Sequence, residues 1–402
     1  MRVLHLCSWF QPRLGYSEFH LPTAMKRLGL DVAIVTSDRY YPFPDYDATV
    51  KPLLGERVVG QSTGDEFGLY TYRLPVAFEY RHHLWLRGLR KVIREFKPDI
   101  VVSYQTFTLP TLQAALLKAE FGYKLITRST MEKAVFDTQT LSRRLFYFLF
   151  TRLVAPLLRR RVDLFTAVGP GAREIVSQVV KIPPGRIEVV PLGADSELFR
   201  FDAAARERIR RELGMAADSF VVVYAGKLIT RKDVHVLAEA VSKLRVSCTL
   251  LLIGDGVEEY KKRLMGLFGS SKLTQLVFHR PVRNSELPGL LSVADVAVWP
   301  SESSNTAIEA AMIGLPIVVC DDPGSRHYVA HNNGYAFSRG DTDQLGKILT
   351  EWALKPTLRT TLGENGRSYF NSTLSWSAIA KRSMATCRSL LEAKGPLVGQ
   401  FD

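Results

Sequence analysis

Cysteine is scarce in this chain of 402 residues, and the four cysteines lie far apart. They occur mostly within apolar runs, at Cys7, Cys248, Cys320 and Cys387. This spacing excludes a disulfide framework and a zinc-finger ligand set, and it is typical of a reduced, cytoplasmic protein. No apolar run approaches the ~20 residues of a membrane span. The first residues, MRVLHLC, are too short and too mixed for a signal peptide and predict a strand.

Acidic residues are the second deficit. The chain has 53 Lys and Arg against 40 Asp and Glu, a net charge of +13, and residues 1–195 carry 27 against 18. Such an excess suits nucleic acid, an anionic membrane surface or a phosphorylated acceptor. No zinc-finger spacing or long basic arm supports a nucleic-acid partner. Hydrophobic content of 46% is ordinary for a globular protein, and the length allows two domains.

Short apolar runs alternate with helix-length segments along the whole chain. Six of these runs precede residue 195, and five lie between 220 and 320: Val3–Cys7, Val32–Thr36, Ile100–Ser103, Lys124–Thr127, Leu164–Val168, Ile187–Pro191, Phe220–Ala225, Cys248–Ile253, Leu276–His279, Val296–Trp299 and Pro316–Cys320. Alternation on this scale predicts an α/β fold with parallel sheets covered by helices. Eleven strands suit two doubly wound domains better than one sheet.

The segment 296–320 carries the most chemistry. A strand, Val296–Trp299, leads through the small polar loop 300–304 into a predicted helix that Asn305 or Thr306 caps and Gly314 ends. The first amides of a helix have no partner within it, so this arrangement favours an anion. Glu302 in the loop and Glu309 in the helix place carboxylates beside that anion. A phosphate with hydroxyl groups nearby, as in a sugar nucleotide, fits both features.

Other loops at strand ends add cations and glycines. Lys227 and Lys232 follow the strand Phe220–Ala225 and predict neutralisation of a pyrophosphate. Gly254 and Gly256 form a Gly-x-Gly without the third glycine of a dinucleotide fingerprint, so a nicotinamide cofactor is poorly supported. Gly15 lies in the loop after the first strand, at the edge of the sheet where ligands bind in such folds.

These motifs resemble the retaining glycosyltransferases of the GT-B fold, in the family 4-like group that includes phosphatidylinositol mannosyltransferases, lipopolysaccharide glucosyltransferases and sucrose-phosphate synthases. The hallmark is a pair of glutamates followed by Ala, a short helix, Gly and Pro, and the segment 302–316 has this form. Here six residues separate the glutamates instead of seven. The chain also departs from the family at Tyr16, Lys227 and Asp233, where Gly, Arg and Gly are usual. The family's sugar-contacting histidine is missing from 127–130, where Ser129 or Arg128 would replace it, unless the donor sugar differs.

The resemblance implies two Rossmann-like domains with a cleft between them. Residues 1–195 would bind the acceptor, residues 196–375 the nucleotide sugar, and a helix in 376–402 would pack back on the first domain. Eight site residues carry over, with Lys227, Lys232 and Glu302 as catalytic and Gly15, Asn305, Thr306, Glu309 and Val282 as donor-binding.

In the implied mechanism Glu309 accepts hydrogen bonds from the ribose diol and Glu302 from a sugar hydroxyl. The lysines and the amides near Asn305 carry the diphosphate charge, and backbone groups near Val282 hold the base. The resemblance implies metal-independent transfer without a cofactor, from a nucleotide diphosphate sugar to a glycan or lipid-linked acceptor of surface polysaccharide or glycolipid synthesis. Two other interpretations stay open: a sugar-nucleotide epimerase of the same fold and a non-catalytic sugar-nucleotide-binding subunit.

Two basic segments also contain aromatic residues. Residues 80–97 hold six Lys and Arg against one acid, and residues 141–162 hold six Arg and no acid around Phe146, Tyr147, Phe148 and Phe150. Such segments suit either peripheral contact with the inner face of the cell membrane or a core helix with a solvated basic edge. Two Asp-x-Asp matches, at 45–47 and 341–343, show how common that metal motif is by chance, and we assign neither a metal role.

Overall fold

The computed structural model describes residues 1–43, 46–80, 83–130, 141–216, 218–269, 273–301 and 304–393. The chain divides into two compact units. Unit 1 is Met1–Leu192 together with the segment that begins at Trp376, and unit 2 is Gly193–Ser375. Among the described residues, no helix combines the length and the apolar character that crossing a bilayer needs.

Unit 1 is built on one largely parallel sheet. Its described strands are β1 Arg2–Leu6, β2 Asp31–Ser37, β3 Ser62–Glu66, β4 Leu69–Leu74, β7 Ile100–Tyr104, β8 Lys124–Ser129, β9 Leu164–Ala167 and β10 Ile187–Val189. They lie in the order β10-β9-β8-β7-β1-β2-β4-β3, and β3 alone among these described strands runs antiparallel to its neighbour. A separate hairpin pairs β5 Val76–Tyr80 with β6 His83–Leu86. The central strands are buried on both faces, which is why they are continuous apolar runs.

Helices cover both faces of this sheet. They are α1 Ser17–Arg27, α2 Tyr46–Thr49, α3 Lys51–Leu54, α4 Leu89–Phe96, α5 Leu109–Phe121, α6 Leu141–Leu149, α7 Ala155–Arg161, α8 Pro170–Val180 and α16 Trp376–Glu392. A π-helical turn, Phe150–Val154, joins α6 to α7. Helix α16 packs against α1, where Trp376 stacks on His20 with ring centroids 5.6 Å apart.

Unit 2 has a wholly parallel sheet in its described residues, in the order β13-β12-β11-β14-β15-β16. The strands are β11 Phe220–Ala225, β12 Cys248–Ile253, β13 Thr274–His279, β14 Val296–Trp299, β15 Ile317–Cys320 and β16 Gly334–Phe337. The helices are α9 Ala203–Glu212, α10 Val234–Ser242, α11 Glu258–Gly266, α12 Leu287–Ser292, α13 Asn305–Ile313, α14 Thr342–Leu354 and α15 Pro356–Thr373. The strand order reverses between β11 and β14, and ligands of doubly wound sheets bind at such a reversal.

The eleven predicted strands are confirmed. Residues 40–75, which are rich in Pro, Gly, Asp and Tyr, predict a long loop that could contain a hairpin, and the second half of this segment confirms the hairpin. That half forms β3 and β4, which extend the sheet. The sequence of β3, STGDE, lacks an apolar face because β3 is a largely exposed edge strand. Strand β16 was missed, since two of its four residues, Tyr335 and Ala336, are only half-buried.

Candidate functional site

Two loops of unit 2 are joined backbone to backbone where β11 and β12 end. The amide of Gly226 donates to the carbonyl of Ile253 (2.9 Å), and the amide of Leu228 donates to the carbonyl of Asp255 (2.8 Å). A Cβ on Gly254 would lie 1.9 Å from the Gly226 carbonyl oxygen. Gly256 is equally close to Leu228. The Gly-x-Gly motif therefore serves close approach between two loops.

Helix α13 begins beside these loops and is tied to them by hydroxyl groups. Thr306 Oγ1 donates to the carbonyl of Ala225, the last residue of β11, at 3.0 Å. Ser301 Oγ donates to the carbonyl of Arg231 at 3.3 Å. The predicted N-cap is wrong: Ser304 is the cap residue, and its side chain forms no capping bond because its hydroxyl lies 2.6 Å from that of Thr306. The first amides of α13 therefore have no acceptor in the cap side chain and suit an anion.

Glu309 lies one turn into α13, on the same side as Thr306. It is a buried carboxyl in a helix whose residues from Ala307 to Ile313 are all buried. Within the described part of the chain no hydrogen bond or ion pair involves its carboxylate. Burial raises its pKa to about 7. A buried carboxyl that costs stability suits a ligand whose hydroxyl groups donate to it.

The two predicted cations follow β11. Lys227 is exposed, and its carbonyl accepts a hydrogen bond from Tyr224 Oη at 3.0 Å, which holds the loop. Lys232 is half-buried and ends the 3-10 turn Thr230–Lys232. Asp233 follows in the left-handed conformation (φ +50°) and pairs with Arg339 at 2.8 Å. The position where the resembled family has glycine thus has the backbone conformation that favours glycine.

The structure brings Lys227, Lys232, Asn305, Thr306 and Glu309 to the β11–α13 region. Val282 follows β13, two strands away from β11, and lines a wide surface groove with residues of α9 and α12. None of the other predicted residues lines that groove. Glu302 lies outside the described residues.

Gly15 lies in unit 1, after β1. It has φ +64° and closes the turn Pro12–Leu14, with its amide donating to the carbonyl of Pro12 at 3.1 Å. Sequence reasoning missed Glu18, in the first turn of α1, whose pKa is raised by burial. The acidic residue three positions after Gly15, at the start of a helix that follows a strand, was the available signal.

Arg128 does not stand in for the missing histidine. Its side chain is buried in unit 1, where Nη1 and Nη2 donate to the carbonyls of Val190 and Pro191 at 3.1 and 3.2 Å. Ser129, the other candidate, has a buried hydroxyl without a hydrogen-bond partner in the described residues. Of the two candidates, Ser129 is therefore the one whose hydroxyl is not bonded to another described residue.

The acidic motifs considered for metal binding give no cluster. In the residues with described placement, no group of three or more His, Cys, Asp or Glu side chains could hold a metal ion. Asp341 has a structural use, since its carboxylate accepts from the amide of Gln344 (2.8 Å) at the start of α14. Asp45, of the other Asp-x-Asp match, lies outside the described residues.

Two family models match the chain and together cover most of it. Residues 205–369 match "Glycosyl transferases group 1", and residues 20–193 match "Glycosyl transferase 4-like domain". With the two parallel α/β sheets, these matches define a glycosyltransferase of the GT-B fold. The chain belongs to the family 4-like glycosyltransferases.

Individual relatives agree with this assignment. The chain is 28% identical to a glycosyltransferase assigned to teichuronic acid biosynthesis in Bacillus subtilis, over 92% of this chain and 95% of that one. It is 24% identical to a GDP-mannose-dependent phosphatidylinositol monomannoside mannosyltransferase of Mycobacterium tuberculosis, over 50% of this chain and 55% of that protein.

Solved structures share the fold at lower sequence identity. Sucrose-phosphate synthase of Thermosynechococcus elongatus has a TM-score of 0.70 and 19% identity, over 98% of this chain and 100% of that one. Anabaena HepE in complex with UDP has a TM-score of 0.70 and 17% identity, over 97% of this chain and 100% of that one.

Proposed function

We propose that this glycosyltransferase takes its sugar from a nucleotide diphosphate sugar bound to unit 2 and transfers it with retention of configuration. The observation that carries the proposal is the start of α13. Thr306 fixes the first turn of this helix beside the end of β11, and the buried Glu309 lies one turn away. Amides suit a phosphate, and a buried carboxyl suits the hydroxyl groups of a ribose.

The proposed chemistry breaks one bond and forms one. The bond between the anomeric carbon and the β-phosphate oxygen breaks, and the acceptor oxygen bonds to that carbon on the same face. The acceptor proton passes to the departing phosphate oxygen. Negative charge grows on the diphosphate, so Lys227, Lys232 and the α13 amides would act mainly in the transition state. Glu302 is proposed to accept from a hydroxyl of the transferred sugar.

The proposed acceptor is a glycan or a lipid-linked intermediate of surface polysaccharide or glycolipid synthesis, used at the cytoplasmic side of the cell membrane. The names of the Bacillus and Mycobacterium relatives support this acceptor class. We propose that transfer requires neither metal nor cofactor, because the lysines and amides already supply positive charge to the diphosphate.

Donor binding is the first test. A panel of UDP, GDP and ADP sugars is compared by thermal shift, where a donor at 100 times its Kd adds about 2.7 kcal/mol of stability. We expect one base to protect wild-type protein and to fail to protect the Glu309→Gln variant. Absence of protection by every donor would contradict the proposed site.

Turnover is the second test. The anomeric configuration of the product is read by NMR with lipid-linked and soluble acceptors, with and without chelator. We expect retention and unchanged rates in chelator. Inversion or loss of activity in chelator would contradict the mechanism, epimerised donor would indicate the epimerase, and donor binding without any product would indicate the non-catalytic subunit.

A further inference from the structure

An exposed apolar surface on unit 1 is formed by two segments about 60 residues apart in sequence. The hairpin β5–β6 supplies one part, and the segment 141–161, which comprises α6, the π-helical turn and α7, supplies the other. We propose that this surface, called here the aromatic–arginine face, docks the enzyme on an anionic lipid bilayer. The proposal goes beyond the donor chemistry and does not depend on it.

The hairpin has one exposed aromatic face and one buried aliphatic face. Strand pairing places Phe78 opposite Trp85 and Tyr80 opposite His83, on the same side. The other side carries Leu84, which is fully buried. The one acid of the described hairpin residues, Glu79, is on that side too and forms ion pairs with Arg39 and Arg57. The exposed face therefore presents rings and no unpaired carboxylate.

The segment 141–161 has an apolar side that faces solvent. Its exposed members have the spacing of one helix face: Leu141, Leu145, Phe148, Leu149 and Leu153. Together with Phe78, Tyr80 and Trp85, these side chains are between 37% and 82% exposed. The opposite side packs on the core through Phe146, Tyr147 and Phe150. The segment therefore has more apolar side chains than pack on the core, and the remaining ones are exposed to solvent.

One ring contact joins the two parts. The ring centroids of His83 and Phe146 are 4.5 Å apart, so the hairpin face carrying His83 adjoins α6. The π-helical turn at Phe150–Val154 shifts the helical phase between α6 and α7.

The charge of this face points to an anionic partner. Residues 141–161 contain six arginines and no acid. Arg144, Arg152 and Arg160 are exposed, and the guanidinium of Arg152 lies 5.4 Å from the ring centroid of Phe148. The side chain of Arg143 lies outside the described residues. Rings that enter the interface beside arginines that meet phosphates are how peripheral proteins bind anionic lipid. A second copy of the chain would bring like charges together.

The test uses the whole chain and extruded vesicles of two compositions. One is phosphatidylcholine alone, and the other contains about 30% phosphatidylglycerol, which makes the surface strongly anionic. We expect co-sedimentation with the anionic vesicles at low salt and its loss at high salt. The variant Arg144→Ser/Arg152→Ser should bind about 30-fold less tightly, from about 1 kcal/mol per arginine. Arg159 is left unchanged because its guanidinium donates to the carbonyl of Val180 (2.7 Å) within the fold.

Matched variants control for charge and for apolar area. Arg186→Ser/Arg245→Ser removes two exposed arginines elsewhere, and it should bind like wild type. Leu145→Ser/Phe148→Ser should weaken binding, whereas Val257→Ser/Leu354→Ser, at exposed apolar positions of unit 2, should not. Thermal unfolding checks that each variant folds.

Trp85 provides a readout within the face itself. Trp299, Trp352 and Trp376 are buried and Trp9 is half-buried, so Trp85 is the most exposed tryptophan. Brominated anionic lipid should quench wild-type fluorescence, and Trp85→Phe should remove most of that quenching.

Four outcomes would overturn the proposal. Two concern the wild-type protein: equal binding to neutral and anionic vesicles, and no binding to either. The third is full binding by the Arg144/Arg152 variant. The fourth is a wild-type dimer in solution that becomes monomeric in the Leu145/Phe148 variant. Donor protection in the thermal-shift assay is measured on the same samples, so failure of this surface is distinguishable from failure of the donor site.

Discussion

The carboxyl edges of the two sheets are constructed differently. In unit 2, the loops after β11 and β12 touch backbone to backbone at Gly254 and Gly256, and Thr306 ties α13 to β11. In unit 1, Gly15 closes a turn in the loop after β1, and the nearest atom to an added Cβ there would be the end of the His20 side chain, at 3.1 Å. Backbone contacts allow few residue types, whereas side-chain contacts can be replaced. A side chain is therefore harder to accommodate at Gly254 and Gly256 than at Gly15.

The largest expected effect tests this contrast directly. Gly254→Ala would place a methyl 1.9 Å from a backbone oxygen that cannot move alone, so we expect unit 2 to lose about 3 kcal/mol or more. Gly15→Ala meets only a side chain but keeps φ +64°, which costs about 1–2 kcal/mol. Denaturant unfolding measures both. Similar losses in the two variants would remove the distinction between the units.

The next effect concerns the two carboxyls near helix starts, Glu309 in unit 2 and Glu18 in unit 1. Glu309→Gln should lower transfer about 1000-fold, since a site built for hydroxyl donors loses its acceptor charge. Protection by nucleoside diphosphate should also disappear in this variant. Glu18→Gln should keep that protection, because unit 2 holds the proposed nucleotide site. Wild-type turnover by Glu309→Gln would show that the site is misassigned.

The pKa of Glu309 gives a separate stability signature. Burial raises it from an ordinary 4.5 to about 7, so the folded protein binds the proton more tightly than the unfolded chain does. Stability should therefore fall as pH rises from about 4.5 to 7. Glu309→Gln should remove that part of the fall and be the more stable protein by up to about 3 kcal/mol above pH 7. Parallel stability curves for the two proteins between pH 5 and pH 8 would contradict this burial effect.

A smaller catalytic effect is expected at the cations of unit 2. Lys232→Ala should lower kcat about 100-fold while weakening donor binding much less, because the charge it meets grows in the transition state. Lys347→Ala, at an exposed lysine of α14, is the control and should be silent. Steady-state kinetics measures the loss in kcat, and thermal-shift titration measures the loss in donor affinity. Equal losses in the two would indicate that Lys232 attracts the donor equally in the ground state and in the transition state.

The smallest effect compares two left-handed residues, Asp233 in unit 2 and Lys181 in unit 1, with φ +50° and +59°. Lys181→Gly should stabilise by about 0.5–1 kcal/mol through relief of the backbone. Asp233→Gly gains the same relief but loses the pair with Arg339, so its net change should lie within about 0.5 kcal/mol. Thermal unfolding measures both variants, and equal gains would mean that the ion pair contributes nothing.

Most of the sheet structure could be predicted from the sequence, because parallel strands buried on both faces must be apolar runs. The runs at Val3–Cys7 and Phe220–Ala225 are of this kind. No apolar run marks strand β3, since an exposed edge strand needs no apolar residues. The N-cap was misplaced because the hydroxyl of Thr306, a good capping group, is used by a carbonyl of β11 instead. Thr306 and its acceptor, Ala225, are 81 residues apart in sequence, so a local pattern cannot predict this hydrogen bond.

The sequence by itself determined the class of fold, the family and the candidate donor residues after β11 and in α13, because each of these depends on local patterns and short spacings. The tertiary structure decided which side chains share a surface and which form their hydrogen bonds within the fold. It buried Arg128 against the carbonyls of Val190 and Pro191, and it placed Val282 in a surface groove with residues of α9 and α12. It also joined the hairpin to α6 through His83 and Phe146. Contacts between distant segments depend on how helices and strands pack, which no local pattern encodes.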